Sequence, residues 1–351
     1  MSRAEKREGL RNQLKKDKKG LFGKGGFKKY LFSTGSYAMD RAVVGIPAGK
    51  ILEIYGKESS FKTTTALRIA SEVNKVNYET GQLDVHHEDP CGVCFIDLEQ
   101  SFEENWARNL GFDASLEVND IDRVTGGDTV GDLVANYIRE DLYSLIIIDS
   151  LEGMFPVTVL EGDMDTNEMG LRAKTIYKAV RKWLPALGES AARNIDTPWR
   201  VPTIIGLNHM QEKPMTMYPE FTTPGGNAFK FYSSMRIQMS KIRIQNDTKK
   251  DFGRGSVKGT IVKNKITGAA GRIFEYEMAL KDLDDLAVGE IDNVKSVFKD
   301  AKDFGLLEKT DNGYSLMGEE FRVQKDITQK MYAEPEYLKR VWDKMIEVVN
   351  G

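Results

Sequence analysis

A lysine and three threonines after a short polar loop, and carboxylates at the ends of two apolar runs, are the residues here placed to do chemistry. The first group is Gly56–Thr64, GKESSFKTT. It follows an apolar run (Ile51, Leu52, Ile54, Tyr55) and precedes a helical pattern (Ala66, Leu67, Ile69, Ala70, Val73). Strand, loop and helix in that order form the frame of a phosphate-binding loop. Such a loop, here Gly56, Glu58, Ser59, Ser60, Phe61, Lys62, Thr63 and Thr64, wraps backbone N–H groups around a polyphosphate. The helix N-terminus adds a favourable dipole. Lys62 would reach the outer phosphates, and the Thr63 hydroxyl would hold Mg²⁺. One position departs from the usual pattern, because Phe61 stands where glycine normally precedes the lysine. A left-handed backbone costs a non-glycine residue about 1–2 kcal/mol. Phe61 is therefore expected at negative φ, with its ring turned away from the phosphates.

The carboxylates come from FIDLE and LIIIDS. Asp97 and Glu99 end one apolar run, and Asp149 ends another. An Asp after four apolar residues suits Mg²⁺, directly or through water. Glu99 is free to orient or deprotonate an attacking water. Each has a plainer reading: LIIID is a buried strand with a polar end, and Glu99 could cap a helix. Their order and spacing favour the chemical one.

The elements that must position these groups alternate. Val93–Asp97, Leu145–Asp149 and Thr203–Leu207 are nearly all apolar, as parallel strands buried on both faces are. Between them lie helical patterns at 103–110, from Asp128 to Ile138, and at 169–187, with Ser36 opening a short helix upstream. This is an α/β fold with a mostly parallel sheet. From Phe229 the pattern becomes antiparallel, with MRIQMSKIRI and GTIVKNKI flanking a turn-rich tip at 247–259. Three parts are expected: a basic arm at 1–30, a main unit at 31–281 and a small α+β unit at 282–351. The arm is a solvated tail or a contact for nucleic acid or an acidic neighbour.

The 351 residues are 40% hydrophobic and 29% charged, enough for a sizeable core. No run is long enough to span a membrane and no secretory signal opens the chain. Two cysteines make no disulfide framework, which places the chain in the cytoplasm. Cys91 and Cys94 form CxxC near His86 and His87, but Cys94 lies inside a strand pattern, so zinc is not expected.

STGSYAMD, GKILEIYGKESSFKTT, FIDLEQSFEENWARNLGFD, LIIIDS, TTPGGNAFKFYSSMR and IVKNKI together resemble the RecA family of homologous-recombination ATPases over about residues 31–275. Phe61 and His209 depart from the bacterial pattern and resemble the recombinases of large bacteriophages. The resemblance implies an ATP- and Mg²⁺-dependent protein that polymerises as a helical filament on single-stranded DNA and exchanges strands with homologous duplex DNA. Single-strand-binding and loader proteins are implied partners. A ring-forming motor on the same fold, or a catalytically weak mediator, is the alternative.

The resemblance also assigns roles. Glu99 would activate water. Trp106, with Glu103 nearby, would stack on adenine, and His209 would sense the γ-phosphate. Lys263 and Lys265 would reach a neighbouring subunit's ATP; alone, they are two lysines on one face of a strand. Two DNA segments are implied, at 161–167 followed by Met169, Arg172 and Lys174, and at 211–229 with Met217, Phe221, Gly225, Gly226 and Asn227. Apolar side chains and a glycine pair suit wedging between bases and contacting phosphates.

Overall fold

A computed structural model describes residues 29–84, 86, 88–160, 168–212, 221–242 and 253–350. Residues 1–28 of the basic arm, the first DNA segment at 161–167, Met217, His87 and residues 247–252 of the expected hairpin tip lie outside the described residues.

The chain opens with a small antiparallel pair, β1 (Leu31–Phe32) and β2 (Ile46–Pro47), flanking α1 (Tyr37–Val43). Ser36 caps α1 by accepting from Met39 N, as expected. Then follow β3 (Ile51–Gly56), α2 (Lys62–Asn74), β4 (Val93–Asp97), α3 (Glu104–Asn109), β5 (Asp120–Asp122), α4 (Gly127–Arg139) and β6 (Leu145–Asp149). Next come α5 (Val157–Leu160), α6 (Glu168–Arg193), β7 (Thr203–His209), β8 (Gln211–Glu212), β9 (Phe221–Thr222), α7 (Ala228–Tyr232), β10 (Met235–Ile242), β11 (Arg254–Asn264) and β12 (Ile273–Ala279).

Eight strands form one sheet in the order β12-β11-β10-β3-β7-β6-β4-β5. All pairings from β10 to β5 are parallel, and β11 and β12 are antiparallel. Both faces are covered, which is why β4 and β6 read as unbroken apolar runs. On one face Leu52, Ile54, Phe95, Ile147 and Leu207 pack with Ala66, Leu67 and Ala70 of α2. On the other, Ile96, Ile146, Ile148 and Ile204 pack with Val130 and Val134 of α4 and Val180 and Trp183 of α6.

Two expectations are corrected. Gly126, not Asp128, is the N-cap of α4, and Asp128 lies in its first turn. Residues 254–258 are strand rather than hairpin tip, because β11 pairs with β10 on one side and β12 on the other.

The remaining chain forms α8 (Asn293–Asp303), the antiparallel β13 (Leu307–Thr310), β14 (Gly313–Leu316) and β15 (Glu319–Phe321), α9 (Gln324–Ala333) and α10 (Pro335–Asn350). It has its own core around Val297, Leu316, Ile327, Met331 and Val341. It docks through α1: Tyr37 stacks on Trp342 with centroids 4.9 Å apart, and Asn293 bonds Tyr37 N at 2.9 Å and Gly35 O at 3.0 Å.

Candidate active site

An open parallel sheet places its ligands at the carboxyl ends of its strands. Here the register pairs Gly56 of β3 with His209 of β7, and Asp97 of β4 with Asp149 of β6. The expected phosphate loop, metal carboxylate and γ-phosphate sensor thus share one rim.

Lys62 begins α2 and is 6% exposed. Its Nζ donates to Lys57 O at 3.0 Å and Gly56 O at 3.4 Å. Burial lowers its pKa, against the pull of Asp149 and Glu99. The Thr63 hydroxyl donates to Asp149 Oδ2 at 2.7 Å, and burial pushes the Asp149 carboxyl up to about 6. A Cβ on Gly56 would stand 2.3 Å from Met239 O and 2.5 Å from Ser60 Oγ, so only glycine fits there. These residues fit a Mg²⁺–polyphosphate: a buried ammonium bonded only to carbonyls, a hydroxyl–carboxylate pair of hard oxygen donors, and a helix start with no acid in its first turn.

Phe61 overturns the expectation of negative φ. It is the N-cap of α2 with φ 64°, in the left-handed region. The loop keeps the backbone turn that glycine usually makes, and the strain is held by local bonds. Both the N–H and the hydroxyl of Thr65 donate to Phe61 O, at 2.9 and 2.7 Å. The ring itself packs against Gly255 and the main core.

Glu99 and Asp97 differ although two residues apart. Asp97 is buried and accepts from the N–H groups of Ser101 and Phe102 at 3.1 and 3.0 Å, holding the turn before α3. Glu99 reaches into the rim, where Oε1 lies 3.0 Å from His209 Nε2 and accepts from Ser150 Oγ. The His209 bond lowers the Glu99 pKa, and the Glu99 bond raises that of His209. Ser150 is thus a member of the site to which the motif LIIIDS alone gives no role. The signal for it was its place directly after the metal carboxylate.

Trp106 donates from Nε1 to Thr64 Oγ1 at 3.4 Å, so it lies beside the loop helix, while Glu103 is the exposed N-cap of α3. Lys263 donates to Lys230 O at 2.6 Å and Phe231 O at 3.0 Å, and Lys265 to Phe231 O at 3.3 Å. Both ammonium groups therefore sit at the end of α7. Lys265 lies one residue beyond β11, which ends at Asn264, yet both ammonium groups converge on the Phe231 carbonyl and so point to one side.

The second DNA segment leaves β7 and returns through β8 and β9. Phe221 is 43% exposed; Gly226 and Asn227 are exposed. Gly225 is buried at φ 88°, with a hypothetical Cβ 2.5 Å from Ile176. Lys174 is exposed on α6, and Met169 lies in its first turn. Arg172 points inward instead: it is 8% exposed, bonded to Glu152 O at 3.1 Å and stacked over Phe155.

A network under the rim was not foreseen. Glu53 is fully buried in β3 and pairs with Arg236, while Asn208 Nδ2 donates to Glu53 at 2.9 Å and to Pro224 O at 3.2 Å. Its signal was a lone acid in the apolar run ILEIY. Cys91 and Cys94 are buried free thiols, with Cys94 donating to Asp122, and no metal-ready cluster of three His, Cys, Asp or Glu occurs among the described residues.

The family model of the RecA N-terminal domain matches residues 21–278. The chain is 33% identical to the protein RecA of Rhodopirellula baltica over 70% of its own length and 59% of that protein's. It is 35% identical to the protein RecA of Mycoplasma mobile over 68% of its length and 65% of that protein's. A longer match, 30% identical to the protein RecA of Chlorobium chlorochromatii, covers 94% of this chain and 85% of the other. The first two matches span less than two thirds of those relatives. No helix among the described residues is long and apolar enough to cross a membrane. The phosphate loop, the rim carboxylates, the sheet order and these matches agree: the chain belongs to the RecA family.

Proposed function

We propose that this chain is an ATP-dependent DNA recombinase, which polymerises on single-stranded DNA and exchanges strands with a homologous duplex, working in the cytoplasm. The observation that carries the reading is the shared rim: the phosphate loop lies in register with His209, and His209 is bonded to Glu99 at the root of the DNA segment. The loop from Gly56 to Thr64 binds the triphosphate, with Lys62 turning from its carbonyls to the outer phosphates. Thr63 and Asp149 would hold Mg²⁺, which would supply charge neutralisation for the phosphates. Glu99 orients the attacking water, and His209 exchanges its bond to Glu99 for one to the γ-phosphate. Trp106 and Glu103 flank the base. Lys263 and Lys265 stabilise transition-state charge at a neighbour's site. Lys174, Phe221, Gly225, Gly226 and Asn227 contact DNA, together with Met169 and Met217. Phe61 and His209 support a place among bacteriophage recombinases acting in a bacterial host. Single-strand-binding and loader proteins are its proposed partners. The residue boundaries expected for arm, main unit and C-terminal unit belong to the same reading.

The test is ATP hydrolysis with and without single-stranded DNA. Stimulation by DNA, lost in Lys62→Ala, is expected; an inert wild type would instead favour the mediator. Electron microscopy with DNA and an ATP analogue should show open helical filaments, and closed rings would favour the motor.

A further inference from the structure

We propose that Lys57 is a positioning residue that ties the nucleotide state of the phosphate loop to the second DNA segment through Phe221. The inference rests on the function proposed above. Lys57 follows Gly56 and is exposed, and its ammonium stands 4.7 Å from the centroid of the Phe221 ring. That ring opens β9, which pairs back onto β8 with Phe221 opposite Glu212. A side chain of the phosphate loop thus touches the returning strand of the DNA segment directly.

Two layers connect these regions, and they differ in what a nucleotide could change. The lower layer is fixed. Asn208 ties Glu53 of β3 to Pro224 O, and Glu53 and Asn208 are buried. Neither side chain is placed to meet a phosphate. The upper layer is built on the loop itself. Lys57 O accepts from Lys62 Nζ at 3.0 Å and from Ser60 Oγ at 2.7 Å. When Lys62 turns to a bound phosphate, Lys57 O loses one of those donors. At the same time the Lys57 ammonium gains anionic oxygens as an alternative to a ring face. A cation over an exposed ring is worth about a two- to fivefold change in an equilibrium constant, so a charged phosphate outcompetes it. The tether holds Phe221 without nucleotide. With nucleotide it releases the ring, which is then free to stack on a base.

The experiment measures binding of a labelled oligo-dT by fluorescence anisotropy at fixed salt. It is run with and without Mg²⁺ and a non-hydrolysable ATP analogue, on the wild type, Lys57→Met and Lys57→Arg. The readout is the ratio of affinities in the two states, since simple loss of a charge weakens both alike. Lys57→Met should shrink the enhancement by the analogue about two- to fivefold, by tightening the nucleotide-free state relative to the bound one. Lys57→Arg, which keeps a cation over the ring, should behave as wild type. An unchanged ratio in Lys57→Met would overturn the inference while leaving the proposed function intact. A wild type whose DNA affinity ignores the analogue would overturn the functional reading and the inference with it.

Discussion

Two acid–base pairs lie within reach of the same strand ends, and they are built for different ends. Glu53 and Arg236 pair across β3 and β10, with the acid fully buried, the guanidinium over the Tyr55 ring and Asn208 bonded to the free side of the carboxylate. Glu99 and His209 pair at the rim, with side chains 36% and 25% exposed. A buried pair with its remaining valences filled cannot exchange partners without leaving a charge in the core. A half-exposed pair can, because water and ligand both reach it. The first pair fixes the frame, and the second is left open to a ligand.

The comparison breaks most visibly at Glu99. Glu99→Gln should slow ATP hydrolysis by about 10²–10⁴-fold, while its melting temperature stays near wild type, since an exposed pair contributes about 0–1 kcal/mol. A large stability loss without a rate loss would reverse the roles assigned to the two pairs. Arg236→Met should do the opposite and lower unfolding free energy by about 3–5 kcal/mol, read from urea midpoints. Glu53→Met combined with Arg236→Met should recover much of that loss, because no unpaired charge is left behind.

Phe61 gives a smaller effect. Alanine and glycine there both lose the ring, but only glycine relieves the left-handed backbone. Phe61→Gly should therefore be more stable than Phe61→Ala by about 1 kcal/mol, and equal stabilities would argue against the positive φ.

The smallest effect is in pH. Bonding to Glu99 raises His209 above its ordinary 6.5, and bonding to His209 lowers Glu99 below its ordinary 4.5. The raised histidine contributes fully below its unfolded value, and this is lost as pH climbs through the folded value. The lowered glutamate contributes above its unfolded value, and this fades as pH falls through the folded value. The melting-temperature advantage of wild type over His209→Gln should be greatest between pH 4.5 and 6.5 and shrink above that window. A gap that grows towards pH 8.5 would contradict the pairing.

The continuous apolar runs of β4 and β6 made the sheet legible, since only strands covered on both faces are written that way. The rim was legible because its carboxylates end those strands. Phe61 was misread because φ at one residue answers to the loop's closure and not to that residue's own preference. The Glu53–Arg236–Asn208 network was missed because its members lie 183 and 155 residues apart, and periodicity carries no trace of the pairing. Lys265 lies one residue beyond where β11 stops, so strand alternation does not place it, although its ammonium does point to the same side as that of Lys263.

Strand exchange between a circular single strand and its linear homologous duplex tests the central claim most directly. With ATP and Mg²⁺, joint molecules should form and resolve into nicked circles, and omitting ATP should abolish them. DNA-stimulated ATP hydrolysis without any joint molecules would contradict the account.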